Sequence, residues 1–356
     1  MRPFQVFGVK SFISRQLQRQ VPTGFAWLMG GVMECKGRQD LFEAQRPEVL
    51  TTLRRVAIVQ SAESSNRIEG VTVDPQRLEP LVLGKARPRD RSEEEVLGYR
   101  RALDWIHRQH DKINVSPRNL LKLHEHAQRG QIGDAGQFKE RDNDIVEIQP
   151  DGRRRIRFKS VAATDTPEAV EQLCLGYRHV RDQDLLPPLL ADASLVLDFL
   201  CIHPFRDGNG RTARLLALLV LYHGGFRVGR YISLERIIEQ TKEQYYDTLL
   251  RSSLGWHEGE HDPIPWWSYY LSTIRQAYRE FEQRIEQINT GPGAKSALVR
   301  ATLEQLPDTF SLDQVARLCP SVSRDLVRRV LREERDAGRL ETTGKGRGAR
   351  WRRCKA

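Results

Sequence analysis

The hydrophobic pattern of the chain is helical along most of its length. From Pro47, apolar side chains recur at steps of three and four residues, and the pattern continues to Ile68, before Gly70 offers a stop. Residues 1–45 contain aromatics and glycines but no clean period, so no element is predicted there. The same spacing predicts further helices over residues 92–106, 116–128, 166–180, 191–202, 209–223, 233–253 and 265–288.

One stretch has a different period. Apolar and polar side chains alternate over residues 144–148 and again over residues 155–161. Between the two segments, Pro150, Asp151 and Gly152 are residues typical of a tight turn. The pattern predicts one β-hairpin inside an otherwise helical chain.

Composition narrows the class of protein. Hydrophobic residues make up 39% of the chain and charged residues 29%, which is ordinary for a soluble globular protein. No apolar run approaches the length of a membrane span, and the N-terminus lacks the apolar core of a secretory signal. The five cysteines are scattered without a CxxC pair, which favours reduced thiols over a disulfide frame or a zinc site. We therefore expect a cytoplasmic protein.

Positive charge is concentrated at the C-terminus. The net charge is +10, of which residues 291–356 contribute +7 and the preceding 290 residues +3. A basic region this local suggests an acidic partner, with nucleic acid first among the candidates. A solvated basic tail is the alternative.

Candidate chemistry is concentrated in the segment HPFRDGNGRTAR, residues 203–214. An apolar helix ends near Ile202 and another resumes at Arg211, with turn residues between them. A glycine-rich loop that feeds a helix N-terminus favours an anion, and Arg211 with Arg214 suits a polyphosphate. Asp207 is a hard oxygen ligand suited to Mg²⁺ shared with phosphates, and His203 titrates near neutral pH, as a general base does.

These twelve residues resemble the Fic motif, HPFx[D/E]GNGRxxR, and match it at every specified position. The segments EEEVLGYRRAL, LLKLHEHA and QTKEQYYDTLL also resemble Fic helices, and the hairpin resembles the Fic flap, so that the similarity covers roughly residues 47–290. The resemblance implies a mainly α, Fic-type helical bundle with one β-hairpin flap. It divides the chain into an N-terminal region (1–90), a Fic catalytic core (91–290) and a C-terminal domain (291–356).

The resemblance also implies an activity: transfer of AMP from ATP to a Ser, Thr or Tyr hydroxyl of a target protein, or of the protein itself. His203 would deprotonate the hydroxyl, and Phe205 would pack inward and fix the loop. Asp207 would hold Mg²⁺, Arg211 the β-phosphate and Arg214 the γ-phosphate. The anion hole would be formed by Gly208, Asn209 and Gly210.

Two further regions receive roles from the resemblance. Tyr245 and Tyr246 would border the adenine, although one of them is equally well explained as core. The flap would align the target by strand pairing, which depends on main-chain partners, and would comprise Ile156, Arg157, Phe158, Lys159, Ser160 and Val161. The flap departs from the family by lacking a proline-rich run after its second strand, which leaves the target open. The unaltered GNGR sequence favours AMP transfer.

An inhibitory element is predicted upstream of the core. The sequence from Ser65 to Gly70 matches the Fic inhibitory motif [S/T]xxxE[G/N]. By resemblance, Glu69 would pair with Arg214 and occupy the γ-phosphate site, since one guanidinium cannot bind a carboxylate and a phosphate bidentately at once. Glu69 as an ordinary surface residue is the alternative. Some relatives also remove AMP through the same site, so a bifunctional enzyme stays open.

The C-terminal domain is predicted to be a small α+β unit that resembles a winged helix. Helices are expected over residues 294–306, 311–318 and 323–337, followed by a strand, a basic glycine loop and a strand. The third helix has a basic stripe of Arg324, Arg328, Arg332 and Arg335. Such a domain would bind DNA, or would only pack and support a homodimer. The alternative to an enzyme is therefore a DNA-binding regulator whose Fic core senses nucleotide.

Overall fold

A computed structural model describes residues 10–45, 47–128, 134–148, 154–287, 293–343 and 349–354. The fold is mainly α-helical, as predicted. In chain order the helices are α1 (Ser14–Leu17), α2 (Thr23–Gln45), α3 (Pro47–Ile68), α4 (Pro75–Val82), α5 (Arg91–Gln109), α6 (Pro117–Gln128), α7 (Thr166–Asp182), α8 (Pro188–Ile202), α9 (Asn209–His223), α10 (Leu234–Gln240), α11 (Lys242–Ser253), α12 (Ile264–Gln287), α13 (Ala294–Leu303), α14 (Leu312–Leu318) and α15 (Arg324–Asp336). The strands are β1 (Ile145–Ile148), β2 (Arg154–Phe158), β3 (Thr309–Ser311), β4 (Leu340–Thr343) and β5 (Arg350–Arg353).

The core is built around α8 and α9. Almost every side chain of these two helices is buried, because their sequences are apolar on all sides. Helices α5, α6, α7 and α12 pack around this pair, and α3 packs against α5 and α10. The loop that joins α8 to α9, residues 203–208, therefore lies where several helices meet.

The hairpin was predicted correctly, and its two strands are antiparallel. Ile145 lies opposite Phe158 and Ile148 opposite Arg154, with an irregularity between Ile145 and Val146. The predicted turn, residues 149–153, lies outside the described residues. The hairpin is the second component of the predicted fold class.

Helix α2 was missed by the sequence analysis. It packs along α12, where Phe25 meets Trp267 and Phe42 meets Phe281, with ring centroids 6.2 and 6.1 Å apart. Its sequence weakens the helical signal, since glycine is a poor helix former and four occur here: Gly24, Gly30, Gly31 and Gly37. Packing against α12 outweighs that propensity.

The helix predicted over residues 233–253 is two helices that meet at Thr241. The Thr241 hydroxyl donates to the Ile237 carbonyl at 2.8 Å and lies 2.9 Å from the Tyr269 hydroxyl. A threonine side chain that bonds the preceding turn bends helices, which accounts for the break. The prediction of one continuous helix was wrong here.

The C-terminal domain contains three helices and a three-stranded antiparallel sheet in the order β3-β5-β4. The capping box of Ser311 and Gln314 opens α14, and Val327, Val330 and Leu331 of α15 are buried. Strand β3 was not predicted. The glycine loop of the supposed wing, residues 344–348, lies outside the described residues, so the winged-helix resemblance stays a prediction.

The basic stripe of α15 is largely paired with acidic neighbours. Arg324 bonds Asp313, Arg328 bonds Asp325 and Arg335 bonds Asp336. Exposed ion pairs contribute little free energy, so the arginines remain able to exchange these carboxylates for other anions. DNA binding stays a prediction.

All five cysteines are free thiols, four of them buried. None of the described helices combines the length and apolarity that crossing a bilayer requires.

The C-terminal domain is joined to the rest of the protein through a buried carboxylate. Arg317 of α14 donates to both Glu79 oxygens, at 2.6 and 2.5 Å, and the Arg317 carbonyl accepts from Arg55 of α3 at 2.7 Å. Glu79 is buried, whereas Arg317 is partly exposed. The pair fixes the domain against α3 and α4.

We expect Arg317→Ala to lower the free energy of unfolding by about 3 kcal/mol, because the Glu79 carboxylate is left buried and unpaired. Urea unfolding followed by circular dichroism measures this change. The matched control is Arg328→Ala, which removes an exposed arginine from its pair with Asp325 and should change stability by less than about 0.5 kcal/mol. Equal effects of the two substitutions would contradict the assignment.

Candidate functional site

The loop between α8 and α9 is shaped by a strained histidine and an asparagine clamp. His203 ends α8 in the left-handed region, with φ 53° and ψ 58°, a conformation that costs a non-glycine residue roughly 1–3 kcal/mol and is typical of functional sites. The Asn209 side chain accepts from the Phe205 amide at 2.9 Å and donates to the Phe205 carbonyl at 2.6 Å. Phe205 is fully buried, as predicted.

Helix α6 supports this loop through two residues that the sequence analysis did not predict. The His124 ring stacks on Phe205 at 3.8 Å with a 2° angle between the planes. Its Nδ1 accepts from the Gly136 amide, so its Nε2 carries the proton and donates to the Asp207 carbonyl at 3.0 Å. One turn later, the Gln128 side-chain amide faces Arg211 and the Gly208 amide, and with its oxygen turned toward these two donors it accepts from them at 3.0 and 3.2 Å.

His107 and His124 pack against other side chains of the protein. Burial lowers the pKa of His124 to about 4 and that of His107 to about 3. His107 lies against the Tyr222 hydroxyl at 3.0 Å. Both imidazoles therefore pack against the interior of the protein. The periodicity of a single helix does not distinguish such a position from a solvated one.

Arg211 lies inside the protein instead of facing the cavity. Its guanidinium bonds Glu95 at 2.5 Å, Asn66 at 3.3 Å and Asp207 at 3.3 Å. Only 2% of the side chain is exposed. The observed contacts hold α9 to α5 and α3, and the predicted β-phosphate role stays a prediction.

Arg214 is bound by the residues predicted to be inhibitory. Its Nε donates to the Ser65 hydroxyl and its Nη2 to the Ser65 carbonyl, both at 2.9 Å, and Nη2 also bonds Glu69 at 2.7 Å. The Glu69 carboxylate lies against the N-terminus of α9, so close that a Cβ on Gly210 would collide with Glu69 Oε1. The end of α3 is held by Lys242, which donates to the Ile68 carbonyl at 2.8 Å.

Asp207 has a partly free carboxylate. One oxygen accepts from the Gly208 amide at 2.7 Å and the other lies 3.3 Å from Arg211, while 64% of the side chain is exposed. Within the described part of the chain, no group of three or more His, Cys, Asp or Glu side chains could hold a metal. One accessible carboxylate suits an ion whose other ligands are phosphates and water, as Mg²⁺ prefers.

A cavity of about 350 Å³ lies beside the loop, between the hairpin and α11. It combines an apolar end with a polar end at His203, Gly210 and Arg214, a combination common in ligand sites. Both predicted tyrosines line it, although Tyr245 is buried and Tyr246 partly exposed. The remaining lining residues are Glu69, Ile145, Val146, Arg157, Phe158, Leu197, Leu200, Cys201, Leu249, Leu250 and Ser253.

The predicted flap residues differ in their exposure and in the direction of their side chains. Ile156 is 59% exposed, and Arg157 crosses the cavity to donate to the Tyr246 carbonyl at 2.5 Å. Phe158 packs inward against the rings of Trp256 and His257.

Regular strand ends at Phe158, so the predicted docking edge is shorter than expected. The carbonyl of Lys159 lies 2.7 Å from the His257 ring and is already engaged. Ser160 is buried, with its hydroxyl in internal hydrogen bonds, and Val161 is half-buried. The side chains of Phe158 and Ser160 are bound by the core and the loop, and alignment of a target along this strand by main-chain pairing stays a prediction.

His203 is neutral at neutral pH. Burial lowers the pKa of its imidazole to about 4, and the Lys139 ammonium adds to this effect, whereas the Leu200 carbonyl, Glu69 and Asp207 oppose it. Its Nδ1 donates to the Leu200 carbonyl at 3.4 Å, which leaves Nε2 as the unprotonated nitrogen. Such an imidazole is able to accept a proton.

We expect nuclear magnetic resonance of the His203 imidazole to show a neutral ring above pH 5 and protonation only near pH 4. Because this pKa lies below the unfolded value of 6.5, the unfolded chain binds the proton first, and stability falls as pH drops from about 6.5 to 4. His203→Ala should remove one proton, roughly 1.4 kcal/mol per pH unit, from that slope. A ring that titrates near its ordinary pKa would contradict the burial.

Comparison with known proteins agrees with this geometry. The Fic/DOC family model matches residues 114–221, which run from before α6 into α9. Protein adenylyltransferase fic-1 of Caenorhabditis elegans is 31% identical over 179 residues, 46% of this chain and 30% of that protein. A Fido domain-containing protein of Dictyostelium discoideum is 45% identical over 65 residues, 17% of this chain and 46% of that protein. The chain thus spans less than half the length of these curated relatives.

Solved structures show the same fold. A Fic family protein from Desulfovibrio desulfuricans G20 superposes with a TM-score of 0.60 at 22% identity, covering 95% of this chain and 98% of that one. The family model falls on the loop, its flanking helices and the hairpin, so the chain contains a Fic/DOC domain at residues 114–221, and its overall fold is that of the Fic-family structure.

Proposed function

We propose that this protein transfers AMP from ATP to a Ser, Thr or Tyr hydroxyl of a target protein or of itself. Support comes from relatives named protein adenylyltransferase and from the unaltered motif at residues 203–214. The observation that carries the proposal is one cavity shared by a neutral imidazole, a helix N-terminus and a buried arginine. We assign the reaction to the core, residues 91–290, regulated by residues 1–90.

The geometry supports a division of labour in which the loop binds phosphates and His203 takes the proton. The first turn of α9 has amides without intrahelical acceptors, which favour anions at Asn209 and Gly210. The Gly208 amide donates to Asp207 and would have to exchange that carboxylate for a phosphate. The Asn209 side chain is used by Phe205, so Asn209 would contribute its main chain. The apolar end of the cavity, with Tyr245 and Tyr246, would take the adenine.

In the proposed reaction, the target hydroxyl oxygen forms a bond to the α-phosphorus of ATP. The bond from that phosphorus to the bridging oxygen breaks, pyrophosphate leaves, and the hydroxyl proton passes to His203 Nε2. Charge gathers on phosphate oxygens, where preorganised amides and cations stabilise it most. Mg²⁺ would enter as part of the nucleotide substrate and neutralise phosphate charge, with Asp207 as its protein ligand.

The contact of Glu69 with Arg214 supports autoinhibition. Both the guanidinium and the N-terminus of α9 meet this carboxylate, so a γ-phosphate would have to displace it from both. The displacement is feasible because 31% of the Glu69 side chain is exposed, whereas Ser65 is fully buried. We infer that Glu69 is the removable half of the brake and Ser65 the fixed half.

We expect Glu69→Gly to raise labelling by ATP radioactive in its α-phosphate by about 10- to 100-fold, since one charge-assisted hydrogen bond of about 1.5–3 kcal/mol no longer competes with the nucleotide. The matched control is Glu63→Gly in α3, which precedes Glu69, because the Glu63 carboxylate pairs with Arg67 instead. Labelling that is equal in wild type and Glu69→Gly would rule out the brake.

In the Glu69→Gly background, His203→Ala should lower AMP transfer by about 10²–10⁴-fold, the usual contribution of a general base. Nucleotide binding, measured by calorimetry, should change little, because the phosphate-binding amides and Arg214 are retained. Unchanged transfer after this substitution would overturn the proposed role of His203. Retained binding with no transfer in any background would instead favour the alternative of a nucleotide-sensing regulator.

A further inference from the structure

A buried lysine lies where the segment before the hairpin passes the loop between α8 and α9. Lys139 is 5% exposed. Its ammonium donates to the Asn143 side chain at 2.9 Å, the Ser160 hydroxyl at 2.8 Å and the Ile202 carbonyl at 3.3 Å. Ile202 immediately precedes His203, and Ser160 follows β2. One ammonium therefore touches both the hairpin and the backbone that ends at the proposed base.

Asn143 and Ser160 extend this contact into a closed set of hydrogen bonds. The Asn143 amide donates to the Phe205 carbonyl at 2.8 Å, and the Ser160 hydroxyl donates to the Asn143 carbonyl at 2.8 Å. The Lys139 backbone amide donates to the Pro204 carbonyl at 2.9 Å. We call Lys139, Asn143 and Ser160 the lysine link; it bonds the carbonyls on both sides of His203.

Burial of the Lys139 ammonium costs free energy of desolvation. Burial lowers the pKa of Lys139 to about 8, although Asp142 and Asp144 oppose the lowering. The ammonium thus remains mostly charged at neutral pH, in a place where an apolar side chain would avoid the cost of desolvation. Its acceptor at Ile202 lies at the C-terminus of α8, the end of a helix that favours a cation. These features favour a role for the charge beyond filling space.

We propose that Lys139 is a positioning residue, which fixes the hairpin relative to His203 so that a segment paired with the hairpin presents its hydroxyl to the imidazole. This role rests on the proposed function. Pairing through main-chain atoms places a target by its position along a strand, so a displaced hairpin would displace the hydroxyl. A misplacement of about 1 Å is enough to lower a rate roughly 10²-fold.

The test uses the Glu69→Gly protein as parent and a His203→Ala copy of the chain as the protein acceptor. Lys139→Met and Ser160→Ala break the link from opposite ends. We expect each to lower kcat/KM for the acceptor by roughly 10²-fold while KM for ATP stays within about twofold, since none of the link residues lines the cavity beside His203. Ser160→Thr retains the hydroxyl and should restore activity toward that of the parent.

A matched control separates positioning from a general loss of packing. Ser194→Ala removes another buried serine hydroxyl, which accepts from Trp267 Nε1 at 2.9 Å and lies away from the hairpin. Ser194→Ala should lower thermal stability, but it should not lower kcat/KM for the acceptor while KM for ATP is unchanged. A Lys139→Met variant with parental kcat/KM for the acceptor, or with an equal loss for both substrates, would overturn the role of Lys139.

Hydrogen–deuterium exchange supplies a readout that needs no activity. Lys139→Met and Ser160→Ala should each speed exchange in the hairpin strands and in residues 203–206 together, with α12 unchanged. Faster exchange in the hairpin strands alone, or in residues 203–206 alone, would overturn the coupling. A parent that transfers no AMP, although its exchange shows the coupling, would identify the proposed function as the idea that failed.

Discussion

The loop from His203 to Gly208 crosses the protein between two buried helices, and it has to do so with its backbone polar groups bonded. Few of its carbonyls reach water, so side chains from distant segments supply the partners. Asn209 clamps Phe205, His124 binds the Asp207 carbonyl, and Asn143 binds the Phe205 carbonyl. This requirement explains why a short motif depends on α6, the hairpin base and α9 at once.

The two arginines of the motif differ in the exposure of their carboxylate partners. Arg211 and Arg214 are both buried, and each is paired with a carboxylate. Glu95, the partner of Arg211, is 5% exposed, whereas Glu69, the partner of Arg214, is 31% exposed. Breaking a buried ion pair costs several kcal/mol, roughly 3–5, so the pair of Arg211 and Glu95 is a stable structural contact. The pair of Arg214 and Glu69 opens at the cavity, where an incoming anion is able to compete.

Sequence reasoning succeeded where the signal is local. The motif, the strong helical periods and the turn chemistry of the hairpin are contiguous in the chain, and they predicted the mainly α fold. Of the motif, His203, Gly210 and Arg214 line the cavity. The contact of Glu69 with Arg214 was also predicted, but through family resemblance, since these residues are far apart in sequence.

The remainder depends on contacts between distant segments, which periodicity does not encode. His124 and Lys139 read as ordinary polar positions because their partners at residues 202–207 lie more than 60 residues away. The predicted flap ran to Val161 because the alternation of the sequence continues beyond Phe158, where β2 ends. Helix α2 was missed because its glycines obscure a pattern that α12 stabilises.

Gly210 constrains how the contact of Glu69 could be lost during evolution. The same bare backbone that lets Glu69 Oε1 approach is the surface against which a phosphate would rest under the proposed function, so a side chain added here would displace the Glu69 carboxylate and crowd the phosphate alike. A substitution that removes the contact and keeps the pocket would consequently have to fall at Glu69, which follows α3. Under the proposed function, the pocket would therefore tolerate substitution of Glu69 but not of Gly210.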